Sequence, residues 1–271
     1  MPSINSTLRL RVFAGPNGSG KSTIINAVKA YKVENKKVDF GIYVNADDIA
    51  QALLLNKFTF NTYEVQVTLE EFTQIAISSG LINNNFTTVT FLACFKLTNN
   101  QIILQHLGQE TRERLAQIIA DFLRKKLLAI RKKFSFETVF SHSSKLAIMK
   151  EAAQAGYKVY LYFVSTNSPE VNKYRVEVRK AKGGHDVPPD KIVKRYYLSL
   201  DLLFEAAQIA YQAFFFDNST DTSAQDVFEP FAHFKVVKGK KVWDKLDDSK
   251  VPDWFIKYYS NKVLNEAKKP D

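Results

Sequence analysis

The amino-acid sequence predicts an α/β fold, a parallel sheet with helices on both faces. Three observations carry that prediction. Short apolar runs alternate with helix-patterned segments along most of the chain, the order that crossover connections require. The first apolar run passes through a glycine-rich loop, Gly15-Pro16-Asn17-Gly18-Ser19-Gly20-Lys21-Ser22, directly into a helix-patterned segment. A central run, Tyr157-Lys158-Val159-Tyr160-Leu161-Tyr162-Phe163-Val164, is almost continuously apolar or aromatic, as a strand covered on both faces must be.

Leu8 to Ala14 alternate and then turn wholly apolar, which makes a strand, and Thr23-Ile24-Ile25-Asn26-Ala27-Val28 spaces its apolar residues as a helix does. Phe40-Gly41-Ile42-Tyr43-Val44 reads as a second buried strand, giving way at Asn45-Ala46-Asp47-Asp48-Ile49-Ala50 to a helix that begins at the acidic residues. Residues 58–110 read as an insertion of mixed short elements, with Asn83-Asn84-Asn85 and Asn99-Asn100 separating β-branched or aromatic runs such as Thr87 to Phe95. From Thr111 onward Leu115, Ile118, Ile119, Phe122 and Leu127 fall on one helical face. That helix leads to a strand over Phe134 to Phe140, which ends in polar residues. Lys145 to Ala155 is helix-like and stops at Gly156, ahead of the central strand. Pro169 to Lys180 is helical, Gly183-Gly184 breaks it, and Pro188-Pro189-Asp190 restarts a helix expected to run through Ala213. Phe214-Phe215-Phe216 then makes a short strand ending at Asp217-Asn218-Ser219. The expected organisation is a main domain over 1–228, interrupted by the insertion, and an extension over 229–271. Its two Trp-centred clusters, Val242-Trp243 and Trp254-Phe255-Ile256, should pack on the domain.

Composition removes several classes of protein. Of the 271 residues 45% are hydrophobic and 24% charged, which excludes a disordered or low-complexity chain. No apolar stretch approaches the roughly 18–20 residues of a membrane span. The polar start, Met1 to Thr7, enters a strand without a signal-peptide pattern. Cys94 is the single cysteine, so neither an internal disulfide nor a thiolate zinc site is expected. A cytoplasmic protein is the expectation. The 38 Lys+Arg against 28 Asp+Glu leave a formal charge of +10, which favours anionic partners. Lys235, Lys238, Lys240 and Lys241 read as a solvated face in preference to a nucleic-acid patch.

The loop from Gly15 to Thr23 matches the Walker A pattern in full, in its strand–loop–helix setting. Its glycines let successive N–H groups turn toward phosphate oxygens, and the helix that starts there adds the positive end of its dipole. Lys21 is expected on the β- and γ-phosphates of ATP, and the Ser22 hydroxyl on Mg²⁺. Ligands in such a sheet collect at the carboxyl ends of the strands, where the sequence puts Asp47-Asp48, Glu137 and Asp217-Asn218. Asp47 is a candidate proton acceptor for a substrate hydroxyl, or alternatively a helix cap. Glu137 could orient a Mg²⁺-bound water, hold the acceptor, or cap a turn. Arg175 and Arg179 lie one helical turn apart beside the Gly183-Gly184 break; the glycines suggest a mobile lid, and the arginines would neutralise a transferring phosphoryl group. Arg195 on the next helix joins them. His106 and His142 read as structural.

Taken together, the glycine-rich loop, Asn45-Ala46-Asp47-Asp48-Ile49-Ala50, Phe136-Glu137-Thr138, Gly156-Tyr157, Arg175-Val176-x2-Val178-Arg179, Gly183-Gly184-His185-Asp186-Val187-Pro188 and Asp217-Asn218-Ser219 resemble zeta-toxin-like P-loop proteins over about residues 8–57 and 111–220. The likeness is greater to the smaller relatives than to the toxins. It implies a kinase-like P-loop fold and ATP- and Mg²⁺-dependent phosphorylation of a sugar-nucleotide hydroxyl, with UDP-N-acetylglucosamine the acceptor of toxin members. By the same resemblance Asp47 would be the base and Arg175 or Arg179 would stabilise the transferring group. Glu137 would belong to the site, Asp121 would fall near the family's acceptor-binding acid, and Asn218 would lie near the adenine. A separate antitoxin would be a protein partner. The competing reading is an ATP-driven switch or nucleic-acid-associated NTPase, which the lack of a hydrophobic-Asp-Glu run and of a nucleic-acid module disfavours.

Overall fold

The computed structural model describes residues 7–105, 108–184, 186–220 and 229–268. β1 (Arg9–Ala14) is followed by α1 (Lys21–Ala30) and a small hairpin of β2 (Lys32–Val33) and β3 (Lys36–Lys37). Next come β4 (Ile42–Val44), α2 (Ala46–Leu54), α3 (Leu69–Ile77), α4 (Thr88–Ala93), the hairpin β5 (Phe95–Thr98) and β6 (Gln101–Leu104), and α5 (Gln109–Ala129). The chain continues through β7 (Phe134–Thr138), α6 (Ser144–Gln154), β8 (Lys158–Ser165), α7 (Pro169–Ala181), α8 (Pro189–Asp201), α9 (Leu203–Ile209) and β9 (Gln212–Asp217). It closes with β10 (Ala232–Val237), β11 (Lys240–Leu246), α10 (Asp253–Phe255) and α11 (Asn261–Ala267).

Seven strands form one mostly parallel sheet in the order β11-β10-β9-β8-β1-β7-β4. β1 and β9 each pair in parallel with β8, while β10 and β11 add an antiparallel edge. That edge departs from the expected parallel sheet: β10 runs antiparallel to β9, and a two-residue turn at Lys238-Gly239, both at positive φ, joins β10 to β11 as a hairpin. The chain falls into two compact units, Met1–Phe40 with Glu137–Asp271, and Gly41–Phe136.

Within the first unit the two sheet faces bury different side chains. On one, Phe215 meets Phe234, Trp243, Phe255 and Tyr259 at ring centroids of 6.1, 6.1, 4.9 and 5.6 Å, so the carboxy-terminal segment closes over β9. On the other, Phe40, Phe13, Tyr162, Phe214 and His233 stack in one row across β1, β8, β9 and β10. The registers put Phe13 opposite Tyr162, Tyr162 opposite Phe214 and Phe214 opposite His233 on neighbouring strands; the last pair spans antiparallel strands, where a cross-strand aromatic pair stabilises by about 0.2–1 kcal/mol.

The second unit has an aromatic centre of its own. Phe72 meets Phe60, Phe91, Phe95 and Phe122 at 5.8, 5.2, 5.5 and 5.1 Å, at steep interplanar angles. The α5 residues Leu115, Ile118, Ile119, Phe122 and Leu127 are fully buried, on the face their spacing predicts.

Within the segment read as mixed short elements, the Thr87–Phe95 run is mostly helical: the Thr87 hydroxyl accepts from the Thr90 amide and caps α4, while Phe91 is buried. One local expectation is corrected. The helix expected through Ala213 breaks at Leu202 and ends at Ile209. The Tyr211 amide donates to the Val159 carbonyl and Ala213 pairs with Leu161, so sheet pairing captures the segment.

Candidate active site

The glycine-rich loop connects β1 to α1, with Gly20 at the helix cap. Gly18 and Gly20 both have positive φ, 76° and 92°, and both have close neighbours. A Cβ at Gly18 would lie 2.6 Å from the Asn172 carbonyl oxygen, and one at Gly20 would lie 2.1 Å from the Asn218 amide nitrogen. Glycine is therefore demanded twice, by backbone conformation and by space.

Three loop carbonyls are held by side chains. Lys21 Nζ donates to the Pro16 oxygen at 2.9 Å, Asn172 Nδ2 to the Asn17 oxygen at 2.7 Å, and Asn218 Nδ2 to the Ser19 oxygen at 2.9 Å. Lys21 is 7% exposed and its ammonium lies 3.9 Å from Glu137 Oε1. A buried ammonium is tolerated because carbonyl and carboxylate both answer its charge. Ser22 and Thr23 lie exposed on the first turn of α1, next to the amino-terminal end of its dipole. Two buried polar atoms here, Asn17 Oδ1 and Ser19 Oγ, have no hydrogen-bond partner. Leaving such atoms unpaired ordinarily costs about 1–3 kcal/mol each; the Ser19 hydroxyl can donate to an anion, whereas Asn17 Oδ1 can only accept.

The remaining expected residues take distinct positions. Asn45 caps α2 by accepting from the Asp47 amide at 2.8 Å. The capping role thus belongs to Asn45, and the Asp47 carboxylate stands in the first turn. Asp121, in the same 41–136 unit, pairs with Arg124 at 3.3 Å and Lys125 at 3.0 Å. Arg124 is buried beneath Phe136, with its guanidinium 5.2 Å from the ring centroid. Burial pulls the Arg124 pKa down while Asp121 opposes the shift, so Asp121 serves to neutralise a buried cation.

In the other unit, Arg175 on α7 donates Nη1 to the Asn218 carbonyl at 2.5 Å and Nη2 to the Thr220 carbonyl at 3.4 Å. Arg179, one turn on, is exposed. The Gly183 and Gly184 amides donate to the Lys180 and Arg179 carbonyls at 2.9 and 3.0 Å, which closes the α7 terminus. Arg195 is half-buried on α8. His185 and His106 lie outside the described residues. His142 Nδ1 accepts from the Ser144 amide at 3.2 Å at the start of α6. Burial pushes the Cys94 thiol up, away from a reactive thiolate.

Sequence reasoning missed Asn172. It is fully buried, its Oδ1 accepts from the Thr166 hydroxyl, and the Thr166 carbonyl in turn accepts from Tyr196 Oη at 2.6 Å. The signal was available: Asn172 occupies the same buried stripe of α7 as Pro169 and Val176, where a polar side chain needs a partner. Asn218 was expected near the adenine; its side chain holds the Ser19 carbonyl of the loop.

No family model matches the chain. A 63-residue segment is 33% identical to an uncharacterised protein of Haemophilus influenzae, spanning 23% of this chain and 45% of that relative. Among solved structures, a chain of the native AvrRxo1-ORF1:-ORF2 complex superposes with a TM-score of 0.51 at 15% identity, over 97% of this chain and 67% of that one. The same complex with sulphate ions gives 0.50 at 14% identity, over 90% of this chain and 62% of that one. The chain shares that fold. A chain of the PezAT toxin–antitoxin system of Streptococcus pneumoniae aligns at 0.43 with 13% identity, over 98% of this chain and 89% of that one, a likeness too loose to argue from.

Proposed function

We propose that the chain is an ATP- and Mg²⁺-dependent phosphotransferase of the zeta-toxin-like P-loop kind, acting on a hydroxyl of a small molecule such as a nucleotide sugar. One observation carries this reading: a complete Walker A loop whose lysine is buried against a carboxylate, with loop carbonyls held away by two asparagines. The loop amides bind the phosphates, and Lys21, shifting from the Pro16 carbonyl, balances charge on the terminal group. Glu137, 3.9 Å from the Lys21 ammonium, keeps it aligned, and Asp47 receives the acceptor's proton as the new O–P bond forms and the bond to ADP breaks. Arg179 and Arg195 supply further positive charge. A bound magnesium ion, held by Ser22 and phosphate oxygens, would neutralise charge on the leaving phosphates. UDP-N-acetylglucosamine is the first acceptor to test, and a separate neutralising protein is the partner to seek, since the matched AvrRxo1 chain was solved in complex with another protein.

Purified protein incubated with labelled ATP, Mg²⁺ and a panel of nucleotide sugars should yield a labelled product. Robust ATP hydrolysis with no labelled product would favour the switch reading instead.

A further inference from the structure

The side chains that hold the loop carbonyls do more than stabilise a turn. All described peptide bonds are trans, and in a trans peptide the N–H of one residue points opposite to the carbonyl of the residue before it. Holding the Asn17 carbonyl therefore aims the Gly18 N–H the other way, and holding the Ser19 carbonyl does the same for Gly20. We propose that Asn172, Asn218 and Arg175 are positioning residues that hold the Gly18 and Gly20 amides in their anion-binding direction before any nucleotide arrives. The inference rests on the nucleotide-binding reading of the same loop.

The chain of contacts is continuous. Thr166 donates to Asn172 Oδ1, which leaves Nδ2 for the Asn17 carbonyl. On the other side, Asn218 is set by its own backbone: its amide donates to the Ser165 carbonyl at 2.8 Å and its carbonyl accepts from Arg175. Asn172 and Arg175 stand one turn apart on α7, so a single helix fixes both holding groups. Arg175 acts through its fork: two nitrogens reach two carbonyls, a pattern that a lysine cannot reproduce. Its contribution is thereby shape, in addition to any charge it presents to phosphate.

The test uses the full chain, the non-hydrolysable analogue adenylyl imidodiphosphate with Mg²⁺, and amide NMR of nucleotide-free protein. Asn172→Asp retains the Thr166 contact and replaces the donor by a repelling oxygen. It should weaken analogue binding at least tenfold, raise the KM for ATP more than it lowers kcat, and shift the Gly18 and Gly20 resonances while Gly156 and Gly239 stay in place. Arg175→Lys should move Gly20 and lose as much affinity as Arg175→Ala; it carries the test by itself if Asn172→Asp does not fold. Wild-type affinity and unmoved Gly18 and Gly20 resonances in a folded variant would overturn the inference and leave the nucleotide reading standing. A wild-type chain that binds no analogue would overturn both.

Discussion

Asp47 and Asn45 are separated by two positions and do different work. Because Asn45 supplies the cap, removing the Asp47 carboxylate leaves the start of α2 intact. Asp47→Asn should therefore abolish phosphate transfer while preserving ATP-analogue binding and melting temperature, measured side by side. Transfer at the wild-type rate would remove Asp47 from the chemistry. Gly20→Ala differs in kind, since it adds a Cβ where φ is 92° and Asn218 Nδ2 is 2.1 Å away. Left-handed backbone for a non-glycine residue costs about 1–3 kcal/mol. The expected outcome is a melting temperature lower by several degrees, together with loss of analogue binding. An alanine variant that melts and binds as wild type would mean that neither the backbone nor the space at position 20 matters.

Elements are joined by polar contacts at their ends as much as by their cores. The indole of Trp254, at α10, donates to Asp217 Oδ1 at 2.9 Å, and the Ser219 hydroxyl donates to the same oxygen at 2.8 Å. Asp217 ends the strand whose next residue holds the loop, so the carboxy-terminal segment bears on the site through two adjacent residues. Trp254→Phe keeps the ring against Phe163 and Phe231 and deletes the donor. A loss of about 1–2 kcal/mol by denaturant titration is expected; no loss would make the contact dispensable. The β10–β11 hairpin carries a pH dependence. His233 stacks on Phe214 and pairs with Asp244, yet burial outweighs the aspartate and pulls its pKa below the ordinary 6.5. The unfolded chain thus binds the proton more readily. The stability this imidazole contributes is complete above pH 6.5 and falls as pH drops from there through its folded-state value. His233→Gln should flatten stability against pH in that window, and an unchanged slope would contradict the assignment.

At the scale of the whole molecule, the largest fully buried side chains among the described residues are phenylalanines, Phe13, Phe72, Phe163 and Phe215 among them. Phe72 is fully buried at the centre of the 41–136 unit, with four aromatic neighbours. Phe72→Ala should destabilise that unit by about 3–5 kcal/mol. Hydrogen exchange should then accelerate in α3, α4 and α5 ahead of β1, β8 and β9. Uniform acceleration throughout the chain would show that the two units unfold as one. Among the described residues no helix is long and apolar enough to cross a membrane.

The strand–loop–helix around Lys21, the face of α5 and the strand of Tyr157–Val164 were legible because each is written in local spacing: a glycine pattern, a period near 3.6 and an apolar run. Glu137 beside Lys21 was legible only as a carboxylate at a strand end. Tertiary structure alone decided which carbonyls Asn172 and Asn218 would hold, since these partners lie 155 and 199 residues from the loop in sequence. Contact at that separation depends on how strands pair, and no local period records it. The early end of α9 has the same origin. There, a strand partner outweighed intrinsic preference, because it meets backbone hydrogen bonds that would otherwise be left unpaired.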